Sequence, residues 1–352
     1  MLDLILIGYG NVARRFASLL DEQRDTLLRD YGLRARIVGI ATRRHGQAYG
    51  GPEVVSGFSR TVGPPEGGHY RKQTTLSFLR DALKRSVGAA RQRRLVVIET
   101  TTLDIASGEP AIGHVRAALA GGAHVITANK GPVAFAYGAL HRAAQRADRR
   151  FLFEGAVMDG VPIFNLVRET LPALSVLGFR GVVNSTTNFI LTAMEDGQPF
   201  EEALAEMQAR GVAEADASLD VDGWDAAAKT AALANVLLGA NITPRGVDRH
   251  GIGPDAGLLA RKARAAGTRL KLVARAERQG RRVTARVALE ELRGDDLLAG
   301  LEGQQNALVL KTDLLEEIAI VQRSGSLTQT AYALLSDLIT VGRGNAARRP
   351  GR

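Results

Sequence analysis

Apolar residues follow two alternating rhythms along the first part of this chain. Residues 2–7 (LDLILI) are apolar except for Asp3, the pattern of a strand buried on both faces, and Gly8 ends the run. From Asn11 to Asp30 the positions Val12, Phe16, Leu19, Leu20, Leu27 and Leu28 recur at helical spacing, so a helix follows a glycine turn. ARIVGIAT at 35–42 predicts a second strand, residues 46–70 a long loop rich in Gly, Pro and Ser, and residues 74–87 a helix. A strand at 94–99, a helix at 109–120, a strand at 123–127 and a helix at 133–147 continue an alternation that ends near residue 150. Short apolar strands separated by amphipathic helices predict an α/β fold with a doubly wound parallel sheet.

Beyond residue 150 the rhythm changes. VLGFRGVVNS (176–185) reads as a strand, followed by helices over 187–196, 199–210 and 223–239 and by paired strands near 269–277 and 282–290. Strand-like LVL (308–310) and IAIV (318–321) precede a closing helix at 326–340. A second, mixed α/β domain is expected, with the last helix packing back on the first domain.

Composition narrows the chemistry. The 352 residues suffice for two domains, and 45% apolar with 24% charged residues is ordinary globular composition. No apolar run approaches the roughly 18 to 20 residues of a membrane span, and no basic region precedes the N-terminal apolar run, so no membrane partner and a cytoplasmic location are expected. The absence of cysteine excludes disulfides, thiolate metal sites and thiol catalysis. The six histidines are scattered without metal-site spacing. A net charge of +9 would suit a polyanion, but the arginines are spread along the chain, apart from short runs such as the tail 343–352, and no nucleic-acid partner is expected.

GYGNVA at 8–13 carries the first two glycines of a dinucleotide fingerprint, with a small residue, Ala13, at the third position. Gly8 permits the tight turn, Gly10 lets backbone approach a pyrophosphate, and the amides of Asn11 and Val12 open a helix whose dipole favours an anion. Set after an apolar strand, this turn points to a Rossmann-type domain binding a nicotinamide dinucleotide. At the end of the second strand the sequence reads Ala41, Thr42, Arg43, Arg44, with no carboxylate for a ribose hydroxyl. Two arginines after a hydroxyl favour NADP(H), with NAD(H) left open.

The densest polar constellation is residues 211–229, in which Glu214, Asp216, Asp220, Asp222 and Asp225 precede Lys229. A helix starting near Gly223 puts Asp225 and Lys229 four apart on one face. Crowded carboxylates repel unless a lysine, a cation or an ammonium-bearing substrate joins them, and the spacing does not fit a calcium loop.

With TANKGP (127–132), GVPIF (160–164) and GVVNSTTNFIL (181–191) in that order behind the glycine turn, the chain resembles the homoserine dehydrogenases of the short form without a C-terminal regulatory domain, from Leu4 to about Val341. The resemblance implies NADPH-dependent, reversible reduction of aspartate 4-semialdehyde to homoserine, on the route to threonine, methionine and isoleucine. It implies that Lys229 transfers the proton, that Glu214, Asp220, Asp225 and Thr186 hold the substrate, and that Lys130 lies near nicotinamide and substrate as a second cation. Thr100, Thr101, Thr127, Ala128 and Asn129 match cofactor-contacting positions. Glu154 and Val157 match a loop that holds Na+ or K+. Three departures stand out: Ser185 replaces a usual glycine, Asp159 a usual small residue, and residues 321–332 keep only Gly325 of a glycine-rich turn. The implied organisation is an NADP-binding domain over 1–132, joined by the helix 326–341, a catalytic and dimerisation domain over 133–325, a basic tail over 342–352, and a homodimer. A related amino-acid dehydrogenase, or a cofactor-binding protein without turnover, is the alternative.

Overall fold

The computed structural model describes residues 1–43, 46–49, 74–85, 94–209 and 217–346. The chain forms two compact units, one comprising Met1–Pro132, Ala136–Gly160 and Ser326–Arg352, the other Val133–Phe135 and Val161–Gly325. Residues 136–160 thus belong to the first unit, because the strand Phe151–Leu152 within them extends its sheet.

That sheet contains β1 (Leu2–Ile7), β2 (Ala35–Ala41), β3 (Gln47–Tyr49), β4 (Leu95–Glu99), β5 (His124–Thr127) and β6 (Phe151–Leu152), in the order β3-β2-β1-β4-β5-β6. All neighbours are parallel except β2 and β3, which pair antiparallel. The chain therefore winds outward in both directions from β1 and β4. In open α/β sheets the crevice beyond the carboxyl ends of such strands receives ligands.

The crossover helices are α1 (Asn11–Glu22), α2 (Arg24–Tyr31), α3 (Thr75–Arg85), α4 (Ala111–Ala120) and α5 (Gly131–Ala147). The single helix expected over 11–30 breaks at Gln23, where φ is −98° and ψ 10° between the charged Glu22 and Arg24. The expected loop after residue 46 begins with the short β3, and its residues 50–70 lie outside the described residues. A closing helix, Leu327–Ala346, lays Leu334, Leu335, Leu338 and Val341 into the same core as Leu4, Leu6, Phe16, Ile40 and Ile98.

The second sheet contains β7 (Val176–Val182), β8 (Asp248–Arg249), β9 (Thr268–Gln279), β10 (Arg282–Arg293), β11 (Asn306–Thr312) and β12 (Glu317–Gln322), in the order β12-β11-β7-β9-β10-β8. Its pairings are antiparallel except that of β8 with β10. Helices α6 (Ser185–Glu195), α7 (Phe200–Ala209), α8 (Ser218–Val221), α9 (Trp224–Leu237) and α10 (Ala256–Ala265) follow in chain order, and α6, α9 and α10 all pack on β9. Ala226, Ala227, Ala228, Ala231, Ala232 and Ala234 are all buried, so α9 is enclosed on nearly every side, and small side chains permit that close approach. The sequence pattern missed α10 because its inward positions, Ala256, Ala260 and Ala263, are alanines among arginines and lysines.

Phe16 is fully buried in the first core. Phe16→Ala is expected to cost about 3–5 kcal/mol in urea unfolding, and a loss below about 1 kcal/mol would contradict this packing.

Candidate active site

In the first unit, β1 delivers the chain to Gly8 at φ +88°. A Cβ there would stand 2.8 Å from the carbonyl carbon and oxygen of Thr100, so only glycine fits between the ends of β1 and β4. Gly8 donates its N–H to Ala41 (2.8 Å), and Thr100 donates its own N–H to Ile7 (2.8 Å), locking the turn to both neighbouring strands. Gly10 is exposed, with open space where its Cβ would be, and is the N-cap of α1 without a side-chain cap. The first turn of α1 carries no acidic residue, Asn11 is exposed, Val12 is half-buried, and Ala13 is fully buried against the sheet. These residues fit a dinucleotide pyrophosphate: open backbone, an uncapped helix N-terminus and no opposing charge.

At the end of β2, Thr42 turns inward, its N–H (2.9 Å) and hydroxyl (3.2 Å) both directed to the carbonyl of Gly46. Arg43 is exposed, and Arg44 lies outside the described residues.

The threonines at the ends of β4 and β5 surround a residue to which the sequence pattern assigns no role. Glu99, fully buried, accepts the N–H of Thr101 (3.0 Å) and its hydroxyl on Oε1, and the hydroxyl of Thr127 (2.8 Å) on Oε2. Thr127 Oγ1 in turn accepts the N–H of Asn129 (3.0 Å). The Asn129 side chain donates to the carbonyl of Thr101 (2.9 Å) and accepts from the N–H of Gly131 (2.8 Å), bracketing Lys130, the N-cap residue of α5. Ala128 donates its N–H to the carbonyl of Glu99 (3.2 Å), and Thr100 Oγ1 donates to that of Gly8 (3.2 Å). The side-chain groups of Thr100, Thr101, Thr127 and Asn129 thus hold the loops in shape. The signal for Glu99 is a charged residue closing an otherwise apolar strand, LVVIE.

The loop after β6 buries both Glu154 and Val157, and Glu154 donates its N–H to the carboxylate of Asp337 (2.9 Å) on the closing helix. Among the described residues, no group of three or more His, Asp or Glu side chains is gathered as a metal would require. Asp159 adopts φ +53° and accepts a hydrogen bond from the hydroxyl of Thr330 (3.3 Å).

In the second unit, the acidic cluster is organised by Asn184, another residue that sequence position alone does not single out. Asn184 caps α6, accepting the N–H of Thr187 (2.8 Å) on Oδ1. Its Nδ2 donates to Asp220 Oδ1 (2.7 Å) and Asp225 Oδ2 (2.9 Å). Lys229, one turn after Asp225, places Nζ 2.8 Å from Asp225 Oδ2 and donates to the carbonyl of Val183 (2.7 Å). Gly223, at φ +79°, reverses the chain between α8, which carries Asp220, and α9, which carries Asp225 and Lys229. Burial and the neighbouring Asp225 charge push the Asp220 carboxyl above the ordinary carboxylate range, opposed by hydrogen bonds from Asn184 and Thr186 and by the charge of Lys229. Thr186 is buried on α6, and Ser185 Oγ accepts from Asn306 Nδ2 (2.8 Å) on β11, which accounts for the serine locally. Asn188 is turned away from this cluster, donating to the carbonyls of Gly303 and Gln305 (both 3.0 Å). Glu214 and Asp216 lie outside the described residues.

Comparisons with known proteins match both parts of the chain. Family models described as homoserine dehydrogenase and as homoserine dehydrogenase, NAD binding domain, match residues 162–339 and 8–154. The chain is 35% identical over 347 residues to the NAD(+)-dependent homoserine dehydrogenase of Pseudomonas canavaninivorans, covering 96% of this chain and 95% of that one. It is 34% identical to the homoserine dehydrogenase of Sulfurisphaera tokodaii, with 97% and 98% covered. A solved homoserine dehydrogenase from Thiobacillus denitrificans shares 29% identity at a TM-score of 0.81, covering 99% of this chain and 76% of that one. With a Rossmann-type unit, a lysine-ended acidic cluster and matches along nearly its whole length, the chain belongs to the homoserine dehydrogenase family of NAD(P)-dependent oxidoreductases acting on a CH–OH group.

Proposed function

We propose that this chain interconverts L-homoserine and L-aspartate 4-semialdehyde with NADP(H) preferred over NAD(H), and that Lys229 moves the proton. The observation that carries the proposal is the Asn184, Asp220, Asp225 and Lys229 cluster, in which two carboxylates and an ammonium are held together with little exposure. When bound, the nicotinamide supplies or takes the hydride. Lys229 donates a proton to the substrate's carbonyl oxygen during reduction and takes it back from the hydroxyl during oxidation. Asp225 and the Val183 carbonyl hold Nζ in place for that transfer. Asp220, assisted by Thr186, and Glu214 receive the substrate's α-ammonium, and Lys130 adds a second positive charge toward the developing alkoxide.

Gly8, Gly10, Asn11 and Val12 would hold the pyrophosphate, with the loops of Thr100, Thr101, Thr127, Ala128 and Asn129 beside it. Thr42, Arg43 and Arg44 would receive the adenosine ribose and its 2′-phosphate. Support for NADP(H) is the exposed Arg43 and the lack of a carboxylate after β2, although the Pseudomonas relative is named as NAD(+)-dependent. Glu154 and Val157 are assigned to a Na+ or K+ ion, supported by the burial of both on the loop after β6. Homodimerisation through the second unit is supported by the exposed Leu314, Leu315 and Val321 around β12.

Lys229→Ala is expected to lower kcat by about 10²–10⁴-fold while NADPH still binds, read by initial rates and cofactor fluorescence. Unchanged turnover would remove Lys229 from the proton transfer.

Asp220→Asn separates stability from binding. A carboxyl raised on folding contributes most below its ordinary value of 3.8, and that contribution is lost as pH rises toward the folded value. The variant should therefore melt at a higher temperature than the parent at neutral pH, with the gain vanishing in acid. Its KM for homoserine should rise about 10- to 100-fold. An unaltered KM would exclude Asp220 from substrate binding.

Arg43→Glu is expected to lower the NADP-to-NAD ratio of kcat/KM by about tenfold or more, because a charge-assisted bond to the phosphate is replaced by repulsion. A parent enzyme that already prefers NAD would overturn the cofactor assignment.

A further inference from the structure

The buried carboxylate of Glu99 has no part in the reaction just described, and its setting is costly. A buried charge is stable only when its lone pairs are met, and an apolar residue of similar size is often neutral or stabilising there. The four residues before Glu99 on β4 are fully buried and apolar. Glu99 interrupts them at the last rung of the sheet, opposite Thr127 in the parallel register and beside Ile7 on β1. His114 of α4, also buried, has its Nδ1 3.8 Å from Oε1, beyond hydrogen-bond reach.

Every hydrogen bond described at the carboxylate comes from a donor in a loop that follows β4 or β5 or from the last residue of β5. Oε1 takes the Thr101 N–H and hydroxyl, and Oε2 takes the Thr127 hydroxyl. A hydroxyl has one proton, so committing that of Thr127 to Glu99 aims a lone pair at the Asn129 N–H. Asn129 then ties the Thr101 carbonyl to the Gly131 N–H around Lys130. The chain of bonds runs without a break from the carboxylate to the turn that carries Lys130.

We propose that Glu99 is a positioning residue, whose buried carboxylate sets the turn carrying Lys130 through Thr127 and Asn129. The proposal rests on the reading that Lys130 acts on the substrate. Glutamine is the informative replacement, because it keeps size and shape but offers one acceptor oxygen where the site presents donors on both sides. Whichever way the amide turns, one N–H faces another donor, and the hydroxyl of Thr127 or the backbone of Thr101 must reorient.

The test compares Glu99→Gln, Thr127→Val, Thr127→Ser, the double variant Glu99→Gln/Thr127→Val, and Lys130→Met in the full chain. Measured are kcat with homoserine, the Kd for NADPH by fluorescence, and the thermal midpoint. Because misplacing a reacting group by about 1 Å can cost about 10²-fold, the shift of Lys130 is expected to lower kcat by about tenfold or more. Glu99→Gln and Thr127→Val are expected to show that loss in kcat at NADPH concentrations saturating by the measured Kd, and the double variant no further loss, because both break one relay. Thr127→Ser keeps the hydroxyl and should retain kcat within about twofold, a rescue that a purely packing role would not give. If Glu99→Gln does not fold, the Thr127→Val and Thr127→Ser pair decides the question. The proposal is overturned if Thr127→Val turns over like the parent, if Thr127→Ser is as slow as Thr127→Val, or if the two single losses multiply in the double variant. Lys130→Met tests the underlying reading separately. Full activity there removes the reading, whereas an inactive Lys130→Met beside active Glu99→Gln and Thr127→Val removes only the relay.

Discussion

Two carboxylates, Asp220 and Asp225, must be kept together against their own repulsion, and the chemistry of the second unit depends on how that is done. Asn184 lies between them with both amide protons committed, and Lys229 approaches Asp225 from one turn further along α9. The arrangement is a standing electrostatic cost, expressed in the raised Asp220 carboxyl. On the proposed function, an ammonium-bearing substrate would relieve it. Much of the local backbone serves this juxtaposition. Asn184 reaches both acids because it also caps α6, and Gly223 folds α8 back onto the start of α9. The alanine face of α9 lets the helix bearing Asp225 and Lys229 lie deep against β9 and β10.

The first unit solves a related problem with the opposite sign of surroundings. Its glycine turn leaves backbone N–H groups open toward an incoming anion, while the nearby carboxylate of Glu99 is enclosed by donors. The first turn of α1, where a pyrophosphate would sit, carries no acidic residue. Both units place their polar groups at strand ends and helix starts, where backbone groups are unpaired within regular structure.

Much of this is legible in the sequence where one physical rule dominates. The parallel strands announce themselves as largely apolar runs with single polar residues such as Asp3 and Arg36, and the spacing of Asp225 and Lys229 alone places both on one helix face. What stays hidden depends on neighbours distant in sequence. Glu99 is a lone acid at the end of LVVIE until Thr127 stands opposite it in the sheet. Asn184 is one of several polar residues in GVVNSTTNFIL until α8 and α9 fold against it. The break at Gln23 and the alanine-faced α10 escape the periodic pattern because charge runs and alanines give weak signals. The resemblance assigns Thr100, Thr101, Thr127 and Asn129 to cofactor contact, and the structure shows their side chains bonding within the protein, which sequence position does not reveal.

On the proposed function, the acidic cluster recognises an ammonium while its lysine serves the alcohol carbon's oxygen. L-Homoserine and 4-hydroxybutanoate share the reacting primary alcohol and the carboxylate, and differ only in the α-amino group. The decisive measurement is kcat/KM for reduction of NADP by each, followed at the nicotinamide absorbance. Removing the ammonium is expected to lower kcat/KM by about 10²-fold or more, the scale of a charge-assisted hydrogen bond in a partly buried site. Equal values for the two alcohols would contradict it.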